Sequence, residues 1–260
     1  MSIIDELFDL KGRVALVTGG SSGIGRAMAS YLARASAAVV HAALPHEEEA
    51  LKAAVVDVES VGLRAAYVTC DVSQLETLPA VAKNAAACFG SPDILVNAAG
   101  VNLREPWDKV SPESWSKTLD INLTAPFFLA RLMVPAMQAN GWGKIINIAS
   151  LQSLRAFPNS MPYGASKGGV MQLTRAMAEA WSQDQSGITC NAIGPGFFKT
   201  GLTSPLYDDQ KVIEALSRQT IIGRNGELSD LAGVTLFLAS HASDYITGQT
   251  IFLDGGWTAK

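Results

Sequence analysis

The chain has 260 residues, 48% of them hydrophobic, and a formal net charge of −4. That length and apolar content suit either one large α/β domain or two small ones, and one is expected. The acidic balance, with Lys and Arg scattered along the chain, excludes the basic footprint of a nucleic-acid binder, and no stretch reaches the roughly 20 apolar residues that span a bilayer.

From Met1 to Lys11 no basic stretch leads into an apolar run, so the cytoplasm is the expected location. Val14–Thr18 reads as the first strand, with a helical pattern over Gly25–Ala35. Ala38–Ala42 and Glu47–Val61 repeat that alternation, as do Ala65–Thr69 and Leu75–Phe89. Ile94–Val96 is the fourth strand, and a single long helix is expected over Pro112–Ala139. Ile145–Ile148 precedes a helix over Tyr163–Gln183. Ile188–Ala192 is followed by an irregular stretch, 194–222, and then by a helix over Leu228–Ser240 and a last strand, Thr250–Leu253. Strands apolar on both faces, alternating with crossover helices, predict one domain over 1–260: a doubly wound, seven-stranded parallel sheet with helices on both faces. The stretch 194–222, rich in Gly, Pro and Ser, falls where a lid over a substrate would be useful. Cys70, Cys88 and Cys190 read as small buried hydrophobes, and His41, His46 and His241 are too scattered for a metal site, so no catalytic metal is expected.

The segment Thr18-Gly19-Gly20-Ser21-Ser22-Gly23-Ile24-Gly25 directly follows the first strand and opens the first helix. Glycine suits a sharp turn and a close approach of backbone to a pyrophosphate, and the helix start offers unpaired N–H groups to the anion. The spacing is TGxxxGxG rather than GxGxxG. Further on stand Asn97-Ala98-Ala99-Gly100 after the fourth strand, Asn122 in a helix, Ser150 after the fifth strand, Tyr163-Gly-Ala-Ser-Lys167, and Pro195-Gly196 with Thr200.

In that order these elements resemble the short-chain dehydrogenase/reductase family along nearly the whole chain. The resemblance implies a Rossmann-type α/β fold and a hydride transfer between a nicotinamide dinucleotide and an alcohol/ketone pair. It implies a catalytic set of Asn122, Ser150, Tyr163 and Lys167. It also implies cofactor contacts from Gly19, Ser21, Ser22, Gly23, Ile24 and Gly25 in the turn, and from Asp71 and Val72 beside the adenine. Asn97, Ala98 and Gly100, Tyr163 and Lys167 themselves, and Pro195, Gly196, Phe198 and Thr200 near the nicotinamide complete that set. A homotetramer built through the two long helices and the last strand is implied as well, with Met171, Ala176, Met177 and Ala180 as candidate contacts.

The residues bear their own reading. Tyr163 and Lys167, four apart on a helix, share one face, and an ammonium beside a phenol lowers its ordinary pKa of about 10. Ser150 can hold a substrate oxygen against the phenol. Tyr163 then exchanges the proton in acid–base catalysis coupled to hydride transfer. Taken alone, each has a plainer role: Ser150 as a cap, Asn122 as a solvent-facing amide, the Tyr–Lys pair as surface or core.

The chain departs from the pattern just past the second strand. Ala43 stands where an NAD-type Asp would be and Leu44 where an NADP-type Arg would be, while Ser22 replaces a residue that is often basic in NADP users. NAD is expected over NADP, with His46 the one nearby group able to meet a 2′-phosphate. Ser36 replaces a common glycine.

Pro162-Tyr163, Lys167-Gly-Gly-Val170, Leu173-Thr-Arg175 and Pro195-Gly-Phe-Phe-Lys-Thr200 resemble the gluconate 5-dehydrogenase subgroup. Arg104 for a carboxylate, Gln152 for a hydroxyl and Phe197 on the lid are the candidate substrate contacts. A sugar acid or polyol is expected ahead of a hydrophobic ketone or a 3-oxoacyl thioester. A dinucleotide-binding regulator without turnover is the rival from another class, and it has no need of an ionisable Tyr–Lys pair.

Overall fold

The computed structural model describes residues Ser2–Lys260. A short helix, α1 (Ile3–Phe8), opens the chain, with Ser2 and Asp5 closing a capping box on its first turn. It is absent from the sequence expectation because so few residues carry no helical periodicity.

β1 (Val14–Thr18), β2 (Ala38–Ala43), β3 (Ala65–Thr69), β4 (Ile94–Asn97), β5 (Gly143–Ile148), β6 (Ile188–Pro195) and β7 (Thr250–Leu253) form one sheet in the order β3-β2-β1-β4-β5-β6-β7. Every neighbouring pair is parallel. The winding reverses between β1 and β4, which opens a crevice at the carboxyl ends of the strands.

Alternate residues of the strands feed two cores. Leu16, Val40, Leu95, Ile145 and Cys190 meet α4 (Leu78–Phe89), α6 (Ala125–Asn140) and α7 (Met161–Trp181) on one face. Ala15, Val17, Val39, Ile94, Val96 and Ile146 meet α2 (Gly23–Arg34), α3 (Glu48–Glu59) and α9 (Leu231–Ala239) on the other. The period of two along each strand is why central strands read as continuous apolar runs.

The helix expected over Pro112–Ala139 is broken. α5 (Pro112–Leu119) passes into a π-helical turn, Asp120–Thr124, before α6 begins. Pro126 has no N–H to give to the carbonyl of Asn122 four residues earlier, so the regular ladder fails there. The stretch 194–222 is less irregular than its composition implied. β6 continues to Pro195, and α8 (Gln210–Ser217) forms with the Asp209 carboxylate accepting the Lys211 N–H at 2.8 Å. Phe198 bridges to Gly226, and the N–H groups of Ile221 and Ile222 donate to the Gly255 carbonyl. Ser36 adopts φ +78°, a conformation glycine reaches at no steric cost. No described helix is long and apolar enough to cross a membrane.

Candidate active site

Thr18 ends β1 with its hydroxyl accepting the N–H groups of Ala98 and Ala99, at 3.1 and 3.2 Å, so the loop after β4 is tied beside the glycine turn. Gly19 has φ +65°, and a Cβ there would stand 2.9 Å from the Ala99 nitrogen; a Cβ on Gly25 would stand 2.3 Å from the Gly19 carbonyl oxygen. Only glycine permits this tight pass. Ser22 is extended and makes no side-chain cap, so the first N–H groups of α2 are left for another acceptor.

The crevice is a cavity of about 410 Å³. Its wall includes Gly19, Ser21, Ser22, Gly23, Ile24 and Gly25 of the turn, Asp71 and Val72 past β3, and Ala98 and Gly100 past β4. Ser150, Tyr163 and Lys167 line it too, with Pro195 at the end of β6 and Gly196, Phe198 and Thr200 past it. The glycine cradle, the uncapped helix start and the length of the crevice fit a dinucleotide with its pyrophosphate on the turn.

Tyr163 and Lys167 lie one turn apart on α7, as their spacing requires. The Lys167 ammonium donates to the Ile148 carbonyl at 2.6 Å and stands 5.7 Å from the centre of the Tyr163 ring. Burial of the amine lowers its pKa to about 8. Burial also raises Tyr163 above the ordinary phenol value, while the Ser150 hydroxyl and the charge of Arg104 push the other way. The expected depression of the phenol by Lys167 is therefore not what this crevice shows: desolvation dominates, and the amine is turned to a backbone carbonyl. The Ser150 hydroxyl accepts the Gln152 N–H at 3.1 Å and faces the same space.

Asn122 is not on the wall. Its side chain accepts from the Val101 N–H and donates to the Val101 carbonyl, both at 2.9 Å, and donates to Ser166 Oγ at 3.0 Å. Ser166 in turn donates to the Tyr163 carbonyl at 2.7 Å. The π-helical turn thus ties the loop after β4 to the helix that carries the phenol.

Asn97, expected at the cofactor, is a correction. It sits beside Asn147 in the sheet register and donates to Asn147 Oδ1 at 2.8 Å, under the crevice floor. Strand alternation turns its side chain away from the wall. Arg104 takes φ +54°, donates to the Leu202 carbonyl at 3.4 Å and keeps a buried Nε without a partner. Gln152 Oε1 is likewise buried and unpartnered. Phe197 is off the wall, packed on Phe157 and Trp257 at ring distances of 5.9 and 5.2 Å. Its neighbour Phe198 lines the crevice instead.

The wall also holds Ala99 of the loop after β4, the cofactor-choice positions Ala43 and Leu44 at the end of β2, and residues the sequence reading did not point to: Ala42 in β2 and Glu47 beyond it, Cys70, Val101, Ile121, Ile148 and Ala149, and Gly201, Leu202 and Thr203 past β6. Most sit at the carboxyl end of a parallel strand, which is the signal that would have found them.

A phenol beside a buried amine, on the wall of a crevice that opens at a glycine turn, fits hydride transfer to or from a nicotinamide, and fold and site define a dinucleotide-dependent oxidoreductase. The family described as enoyl-(acyl carrier protein) reductase matches residues 19–258. The chain is 40% identical to 2-dehydro-3-deoxy-D-gluconate 5-dehydrogenase of Escherichia coli K12, covering 99% of this chain and 100% of that one. It is 38% identical to gluconate 5-dehydrogenase of Gluconobacter oxydans 621H, covering 98% of each. The crystal structure of a gluconate 5-dehydrogenase from Burkholderia cenocepacia J2315 in complex with NADP and tartrate superimposes with a TM-score of 0.92 at 39% identity, over 98% of this chain and 99% of that one. The chain belongs to the short-chain dehydrogenase/reductase family and is an NAD(P)-dependent oxidoreductase.

Proposed function

We propose that the protein interconverts a secondary alcohol and a ketone on a sugar acid or related polyol, with NAD the preferred carrier. Arg104 is the observation that carries the substrate class. Its guanidinium is felt at the Tyr163 phenol and retains a buried donor with no partner. A carboxylate on the substrate would satisfy that donor in a charge-assisted hydrogen bond. The relatives named for gluconate-type acids support the same reading.

In the mechanism, Ser150 holds the substrate oxygen, and Tyr163 takes the hydroxyl proton in oxidation or returns it in ketone reduction. When bound, the nicotinamide accepts or supplies the hydride. Lys167 keeps a positive charge beside the phenol, and Asn122 positions both through Ser166 and Val101. Asp71, Val72 and the glycine turn hold the carrier, with Pro195, Gly196, Phe198 and Thr200 at its reactive end. Residues 194–222 cover the site as a lid, a role supported by Gly201, Leu202 and Thr203 on the wall.

A hydrophobic ketone is the second reading, favoured by the apolar side chains of Val101, Ile121, Phe198 and Leu202 on the same wall. We place the protein in the cytoplasm and in a homotetramer through α6, α7 and β7. Ala176 and Ala180 are exposed on α7, whereas Met177 is buried in the core and is withdrawn as a contact. Sedimentation at micromolar concentration tests the assembly, and a stable monomer would refute it.

The test of function follows nicotinamide absorbance with aldonates, polyols and apolar secondary alcohols. Aldonates are expected to turn over, and Tyr163→Phe to lose activity by about 10³-fold or more. Arg104→Ala should raise KM for an aldonate about tenfold with kcat little changed, since one charge-assisted bond is lost. Preference for apolar alcohols with an unchanged KM would transfer the assignment to the second reading.

A further inference from the structure

Ser150 and Tyr163 must converge on one substrate oxygen, yet they stand on different elements, one just past the end of β5 and the other in the first turn of α7. Small misplacements of reacting groups cost rate, so the gap between the turn after β5 and the helix has to be fixed. That turn is the short 3₁₀ segment Leu151–Ser153, with Ser150 as its cap. The Ser150 hydroxyl accepts the Gln152 N–H, which leaves its own proton for the phenol or the substrate oxygen.

Ser153 closes the turn and joins it to the helix. Its hydroxyl accepts the Ser150 N–H at 3.3 Å and donates to the Lys167 carbonyl at 2.7 Å. One side chain therefore holds the backbone of Ser150 on one side and the backbone of α7 on the other. The approach is close because Gly164 and Gly168 face the turn. A Cβ on Gly164 would stand 3.8 and 3.9 Å from Oε1 and the carbonyl oxygen of Gln152, and one on Gly168 would stand 3.9 Å from the Ser153 carbonyl oxygen. These glycines are one helical turn apart, and each directly follows a member of the Tyr163–Lys167 pair. Lys167 also ties the two elements through its ammonium on the Ile148 carbonyl, but that bond belongs to the catalytic side chain itself. Ser153 makes its tie with groups that exchange no proton with the substrate. It is off the crevice wall, so its effect on the chemistry has to pass through Ser150 and α7.

We propose that Ser153 is a positioning residue that sets the distance between the Ser150 hydroxyl and the Tyr163 phenol, and so how well both meet the substrate oxygen as the hydride moves. The inference rests on the catalytic reading of Ser150 and Tyr163 above.

Steady-state kinetics on the fastest substrate of the panel, with calorimetry of ADP-ribose binding and thermal denaturation, test it. Ser153→Ala should lower kcat about tenfold and change KM by less than about threefold. ADP-ribose affinity should stay within about twofold, and the melting temperature should drop by only about 2–4 °C, as the loss of one hydrogen bond implies. Gly168→Val reaches the same displacement by a second route: it keeps the Ser153 hydroxyl, puts two methyl groups into the 3.9 Å gap, and should lower kcat by a similar factor. In a Ser150→Ala background either change should cost less than about twofold, because a residue that acts through Ser150 then has nothing left to position. Losses that add in full to that of Ser150→Ala, or a Ser153→Ala enzyme with wild-type kcat, would overturn the proposal. So would a loss of turnover matched by a loss of ADP-ribose binding, which marks a purely structural role. Wild-type turnover in Ser150→Ala would instead remove the catalytic reading, and the inference with it.

Discussion

Two lysines are buried at opposite ends of β5 and are held in opposite ways. Lys144, near the start of the strand, has no exposed surface; its ammonium pairs with Asp244 at 2.7 Å, and Asp244 also meets His241 at 2.8 Å. The Trp142 ring lies 5.4 Å from it and carries Arg13 at 3.9 Å. Lys167, at the other end, has no carboxylate partner among the described residues and bonds only the last carbonyl of the strand. A buried charge with its counterion is part of the architecture. One without a counterion costs stability and persists where chemistry uses it.

The largest expected effect that sharpens this contrast is Lys167→Met. It should lower kcat by about 10²-fold or more while the melting temperature holds or rises, because a desolvated charge is removed. Thermal denaturation beside steady-state kinetics checks it, and a variant that is active but unstable would collapse the distinction.

Asp244→Asn should do the reverse. It leaves Lys144 without its countercharge at a cost of about 1–2 kcal/mol, below the figure for a fully buried pair because Asp244 is half exposed. Activity should stay within about twofold, since the site is at the far end of the sheet. Adding Lys144→Met should restore most of the loss in urea denaturation.

Acidity separates the two ends more gently. Burial raises Asp244, but its bonds to Lys144 and His241 outweigh that and hold the carboxyl below its usual value. Its contribution is present above the unfolded carboxyl pKa of about 3.9 and is lost as pH falls through the folded value. The urea midpoint should therefore drop in acid, less so in Asp244→Asn. At the crevice, Tyr163 is raised and Lys167 lowered to about 8, so the amine gives up its proton before the phenol does and the charge beside the phenol is lost on the alkaline side. Activity should therefore fall a few fold as pH rises through about 8, a loss absent from Lys167→Met, and a flat profile would count against a role for the ammonium.

Seven strands and their order of helices were legible because each is a local run of apolar residues. The break at Asn122 was not: Pro126 stood in the sequence, but the pattern of apolar residues runs unbroken across it. Asn97 was misassigned for a related reason. Its motif places it at the right strand end, and only the pleat decides that the side chain turns toward Asn147 rather than the crevice.

Sequence alone determined the doubly wound fold, the glycine turn and the Tyr163–Lys167 spacing, since all three are set by neighbours along the chain. Tertiary structure decided which groups share the crevice. It brought Glu47 and Phe198 to the wall, withheld Phe197, and made burial rather than the nearby ammonium govern the phenol. Those outcomes depend on solvent exclusion and on contacts between residues far apart in the chain, which local pattern does not carry.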